Sequence, residues 1–129
     1  MDALGFKEIK VIALAVDDLA RAEHFYRDTL GLAPAFEGDR EVGFRIGKQV
    51  IMLKPVADGW YARPSAELNP RVTIATEHAP QTEHELRARG VRISDPVQPY
   101  AEDGFYVGAF LDSEGNKLWF CSLLAGTLT

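Results

Sequence analysis

A chain of 129 residues is long enough for one domain that buries roughly two-thirds of its unfolded surface. Its net charge of −5 and pI near 5.1 exclude a nucleic-acid binder, which needs a concentrated basic face, and no apolar run has the length of a membrane span. The single cysteine, Cys121, allows neither an intrachain disulfide nor a cysteine-built zinc site. The opening residues, Met1 to Lys7, show neither the basic nor the apolar region of a secretory signal, so a cytoplasmic location is expected.

Glu8 to Val16 reads as a mostly apolar strand, with Ile12, Leu14 and Val16 on one face and Val11, Ala13 and Ala15 on the other. Asp17 or Asp18 caps the helix that follows. Its buried stripe is Leu19, Ala22, Tyr26 and Leu30, with Phe25 at the border. Gly31 stands where a left-handed C-cap belongs. Phe36 to Ile46 and Gln49 to Lys54 read as strands joined by a tight turn at Gly47-Lys48. Residues 56–69, in a proline-rich stretch, form the connection to a second half.

That half repeats the order. Arg71 to Thr76 is a strand, and Pro80 sits in the first turn of a helix anchored by Leu86 and closed by Gly90. Val91 to Val97 is a strand, Tyr100 to Gly104 a loop, Phe105 to Leu111 a strand, Asp112 to Asn116 a turn, and Lys117 to Leu123 the last strand. Two copies of the unit β-α-β-β-β, over about residues 7–55 and 70–124, are expected within one domain spanning residues 1–129, although the first half shows only two strands after its helix. Repetition at a fixed offset marks stacked copies of one unit.

Two phrases carry a family resemblance. Val16-Asp17-Asp18-Leu19, followed by Phe25-Tyr26-Arg27-Asp28-Thr29-Leu30-Gly31-Leu32, resembles the opening module of the vicinal oxygen chelate superfamily. That group holds the glyoxalases, extradiol dioxygenases, fosfomycin-resistance enzymes and bleomycin-resistance proteins. Phe110-Leu111-Asp112-Ser113-Glu114-Gly115-Asn116 is similar to the group's Phe-x-Asp-Pro-Asp-Gly-Asn turn, with Ser113 in the proline's place. The resemblance spans almost the whole chain and implies an α+β fold, glyoxalase/bleomycin resistance-like. In it two paired βαβββ modules form a half-barrel sheet, commonly completed in a homodimer.

Metal-dependent members of the superfamily hold a divalent ion with a histidine, a carboxylate or histidine, a second histidine and a glutamate from four strand positions. Aligning motif to motif, with Gly47 set against Gly115, puts those positions at Val11, Ile51, Arg71 and Trp119. None is a side chain that such a metal takes. No metal and no cofactor are therefore expected. His24, His78 and His84 lack ligand spacing and read as surface residues, and Cys121 as a small core residue.

The same positions offer a different kind of pocket. Trp119 brings a flat face, Val11 and Ile51 apolar walls, and Arg71 a fixed cation, with Trp60, Tyr100, Phe105 and Tyr106 as further lining. Apolar walls with a few polar anchors suit a small aromatic or anionic ligand. Other readings stand beside this one. Trp119 fills core volume, Trp60 and Tyr61 form a surface or dimer contact, and Arg71 makes a surface salt bridge. No phosphate-binding glycine loop or nucleophile elbow is present.

The sequence thus reads as a metal-free small-molecule-binding protein that sequesters its ligand as a homodimer, with no nucleic-acid or membrane partner. The alternative is a lyase or dioxygenase-type enzyme of the same superfamily, using unorthodox metal ligands or none. Lys10, Glu8, Tyr106 and His78 are its candidate acids and bases.

Overall fold

In the first module, strand β1 (Val11–Val16) leads into helix α1 (Leu19–His24), which continues as a π-helical turn over Phe25–Thr29. Strands β2 (Ala33–Glu37), β3 (Arg40–Ile46) and β4 (Gln49–Pro55) follow. The second module runs β5 (Val72–Ala75), α2 (Ala79–Ala88), β6 (Arg92–Tyr100), β7 (Phe105–Leu111) and β8 (Lys117–Leu123). This computed structural model describes residues 4–5, 7–58, 63–67 and 70–124, so Trp60 and Tyr61 lie outside the described residues. The chain divides into two compact units, Met1–Trp60 and Tyr61–Thr129. Among the described residues no helix is long and apolar enough to cross a membrane.

The two sheets have the same topology. Their strand orders are β1-β4-β3-β2 and β5-β8-β7-β6. In each, the first strand runs parallel to the last and the other neighbours are antiparallel. The helix of each module makes the crossover that a parallel pair requires. The fold is α+β, two βαβββ modules, as the repeated sequence pattern predicts.

Asp18 caps α1 by accepting the Arg21 N–H at 3.0 Å. The helix then widens: Leu30 N–H donates to the Phe25 carbonyl at 2.9 Å, five residues back. This extra residue per turn brings both Phe25 and Tyr26 inside. Leu19, expected in the buried stripe, is 38% exposed instead. Gly31 at φ 73 ends the turn, with Leu32 N–H returning to the Tyr26 carbonyl at 3.0 Å. Tyr26 stacks on Phe44 of β3, ring centroids 6.0 Å apart. Phe44 pairs in register with Ile51 of β4, and all three are buried. Burying a side chain the size of Phe44 or Ile51 contributes about 1.5–3 kcal/mol.

Helix α2 has no side-chain cap from His78. The buried Ser122 hydroxyl of β8 does that work, accepting the Ala79 N–H at 2.8 Å. At the other end Gly90 takes φ 77 and Val91 N–H returns to the Leu86 carbonyl at 2.9 Å. Glu83 ties the helix to β6, accepting the Val97 N–H at 2.6 Å and Arg87 Nε at 2.9 Å. Val97 lies where the β6–β7 register shifts, between Asp95 and Gln98.

The turn between β7 and β8 explains its motif. Asp112 Oδ1 accepts the N–H groups of Glu114 and Asn116, both at 2.8 Å, and Asp112 Oδ2 accepts from Asn116 Nδ2 at 3.1 Å. Gly115 sits at φ 92, a conformation that glycine takes without penalty. Asn116 is fully buried and its Oδ1 accepts the Ser65 N–H at 3.1 Å, pinning the segment before β5. The phrase is a structural clasp.

Candidate functional site

Each sheet has one face covered by its helix and one facing away from it. In β8 the residues Leu118, Phe120 and Ser122 are buried, and Ser122 marks that face as the α2 side through its bond to Ala79. Strand alternation therefore turns Lys117, Trp119 and Cys121 to the open face. In β4 the same reasoning puts Ile51 under α1, beside Phe44, and turns Val50 and Met52 to the open face.

This corrects the alignment used on the sequence. Phe44 pairs with Ile51 and Phe110 with Leu118, so Ile51 corresponds to Leu118, and Trp119 to Met52. Between Arg45 and Val50 lie four residues, and between Leu111 and Lys117 five. Setting Gly47 against Gly115 therefore runs one residue out of register, and a one-residue slip exchanges the faces of a strand. Ile51 is 1% exposed and belongs to the core of module one.

On the open face of module two, Arg71 lays its guanidinium over Trp119, 3.8 Å from the ring centroid. Lys117 Nζ lies 4.4 Å from the same centroid and 3.0 Å from the Asp95 carboxylate. Arg71 forms no ion pair with a carboxylate among the described residues. Its orientation comes from the indole, an interaction worth about 0.5–2 kcal/mol. Arg71, Trp119 and Tyr100 line one cavity of about 250 Å³ together with Asp103 and Val107. Here the indole serves as the platform of the cation.

The remaining sequence candidates fall elsewhere. Phe105 pairs with Leu123, is exposed and does not line that cavity. Tyr106 pairs with the buried Ser122 and packs edge-on against His78, centroids 5.9 Å apart, on the helix side. Val11 lines a cavity of about 430 Å³ on the open face of module one. Trp60 is outside the described residues. Lys10 and Glu8, candidate acid and base on the sequence, line that cavity as well, but its Arg40, Arg45 and Lys48 were missed. A signal was available: Arg45 and Val50 flank the Gly47-Lys48 turn, and hairpin pairing sets them opposite one another.

The chain matches the Glyoxalase/Bleomycin resistance protein/Dioxygenase superfamily over residues 8–120, and it belongs to that superfamily. Solved structures share the fold at low identity. A superfamily member from Sphaerobacter thermophilus is 20% identical with a TM-score of 0.74, over 92% of this chain and 99% of that one. A glyoxalase-related enzyme from Fulvimarina pelagi is 20% identical with a TM-score of 0.68, over 91% and 88%. A lactoylglutathione lyase from Agrobacterium tumefaciens is 19% identical with a TM-score of 0.66, over 92% and 95%. Among curated proteins none matches the sequence.

The divalent metal of the superfamily's enzymes does not fit the residues present. With the register corrected, the four strand positions carry Val11, Met52, Arg71 and Trp119. None is a histidine or carboxylate. Nor do any three His, Cys, Asp or Glu side chains group closely enough to hold a metal among the described residues.

Proposed function

We infer that this protein binds a small anionic or aromatic molecule without a metal ion, sequestering it as a homodimer. The observation that carries this reading is Arg71 itself. It is a guanidinium fixed over Trp119 at 3.8 Å, unpaired with any carboxylate among the described residues and lining a cavity. A guanidinium held in place and left without a carboxylate presents its fork to one that arrives. Asp103 on the rim disfavours large polyanions and favours a ligand with a single negative group.

The test is fluorescence titration of a Trp60→Phe variant, in which Trp119 is the only indole. Aromatic carboxylates and phosphonates are titrated, with neutral amides as controls. Saturable quenching by the acids, absent from the amides and lost on Arg71→Gln, is the expected result. Native mass spectrometry after incubation with zinc, manganese, nickel and iron(II) accompanies it. One metal per protomer, or quenching indifferent to Arg71, would overturn the reading.

A further inference from the structure

Strands β3 and β4 part before either one ends. Their ladder stops at Phe44 and Ile51, yet β3 continues alongside β2 to Arg40 and β4 alongside β1 to Pro55. The cause is a bulge in β3. Gly43 pairs with Ala35 and Glu41 with Phe36, so Val42 is an extra residue, and an extra residue bends its strand and disrupts the ladder. The split leaves a cavity of about 240 Å³ beside the first turn of α1. Leu19 and Glu23 line it from the helix, Phe44 and Glu41 from β3, and Leu53 and Lys54 from β4. The two helix residues and the buried Phe44 put this cavity on the α1 side of the sheet, not on the open face. It also accounts for Leu19, an apolar side chain of the helical stripe that is 38% exposed because it overhangs this gap.

Arg40 completes the charged lining. Two carboxylates, Glu23 and Glu41, and two cations, Arg40 and Lys54, thus surround the cavity with a net charge of zero. None of the four forms an ion pair among the described residues. Opposite charges that share one small cavity without meeting leave room for a molecule that carries both. We propose that this cleft binds a free α-amino acid with an aliphatic side chain. Its ammonium group goes to Glu23 and Glu41, and its carboxylate to the guanidinium of Arg40 and the ammonium of Lys54. Leu19 and Leu53 cover the aliphatic body. Glu23 and Lys54 are half-buried, where salt screens a charged contact less than at the surface. The volume equals about eight water molecules at roughly 30 Å³ each, which suits one amino acid and excludes a peptide.

The test is an amide NMR titration of the full-length protein with L-leucine. The controls each lack one feature: 4-methylpentanoate the ammonium, 3-methylbutylamine the carboxylate, and glycine the aliphatic body. Saturable shifts at Leu19, Glu23, Glu41 and Leu53 are expected with leucine, and weaker binding of all three controls. Glu23→Gln and Lys54→Gln should keep the unfolding temperature of the parent, since neither side chain has an ion pair to lose, and each should bind leucine at least about tenfold more weakly. Glu41→Gln, at an exposed position, carries the same expectation and serves if either of the others is unstable. Arg45→Gln, which removes a cation of the open face alone, should bind as the parent does. No saturable shift with leucine overturns the proposal, as does equal binding of either singly charged analogue. So does full affinity in the folded glutamine variants of the cleft, or a loss in Arg45→Gln as large as theirs, which would move the ligand to the open face.

Discussion

Gly43→Ala is the sharpest test of how the floor of module one is built. Gly43 lies in β3 at φ 150, within the region that side chains avoid. A Cβ there would collide with the Ile51 carbonyl oxygen, and would come within 3.0 Å of the Ile51 carbonyl carbon and 3.1 Å of Met52 Cα. All three are backbone atoms of β4, so no side chain can rotate away and the strands themselves must part. Backbone strain costs about 1–3 kcal/mol and overpacking a similar amount. The expected loss is therefore about 2–5 kcal/mol, a fall in melting temperature on the order of 10–20 °C. Gly47→Ala is the control: its φ is 58 but nothing lies within 4 Å of the added carbon, so only the backbone cost of about 1 kcal/mol applies. Urea unfolding of both variants measures the difference. If Gly43→Ala is as stable as Gly47→Ala, the close approach of β3 and β4 at this point is wrong. The spacing that sets Arg45 opposite Val50 falls with it.

Ile51→Glu should cost several kcal/mol or prevent folding, because a carboxylate would be buried beside Phe44 and Tyr26, whereas Met52→Glu should fold; the reverse order in thermal melts would refute the corrected register. Asn116→Ala removes the side-chain oxygen that accepts the Ser65 N–H and the amide that donates to Asp112 Oδ2. A loss of about 2–4 kcal/mol with faster amide exchange at Ser65 is expected, and unchanged exchange would refute the clasp. Burial works to raise the Glu83 pKa, but the Val97 N–H and Arg87 outweigh it and hold the group below its ordinary value. A depressed pKa contributes stability above the unfolded value of about 4.3, lost as pH falls through the folded one. Glu83→Gln should therefore cost about 1 kcal/mol at neutral pH, and the gap should close in acid; a gap that persists undiminished in acid refutes the assignment.

What could be read in the sequence was whatever had strong local punctuation. Strands β7 and β8 have the bounds that their apolar runs predict, because Gly104 and the Asp112 to Asn116 turn delimit them on the chain itself. Strand β2 was invisible as an element of its own. Ala33-Pro34-Ala35 has little strand propensity, and the turn at Gly38-Asp39 sits inside what reads as one strand from Phe36 to Ile46. Strand β6 runs on to Tyr100 through Pro96 and Pro99, which an inner strand would not tolerate; its place at the edge of the sheet is a tertiary fact. The π-helical turn likewise escaped, since a helical stripe assumes one period throughout. At the site, residue types were legible and faces were not. Arg71, Tyr100 and Trp119 line one cavity, while Ile51 is placed by an alignment blind to a single extra residue in a turn, and Tyr106 is grouped with its aromatic neighbours along the chain without regard to the face it takes.

The prolines of the edge strands bear on how this protein behaves in a crowded solution. Pro34 lies in β2, and Pro96 and Pro99 in β6, the corresponding outer strands of the two sheets. Each removes an N–H from an edge that would otherwise template the addition of a foreign strand. The opposite strands, β1 and β5, contain no proline. Self-association by strand pairing is thus discouraged along β2 and β6, so a partially unfolded chain meets its copies with those two edges already blunted.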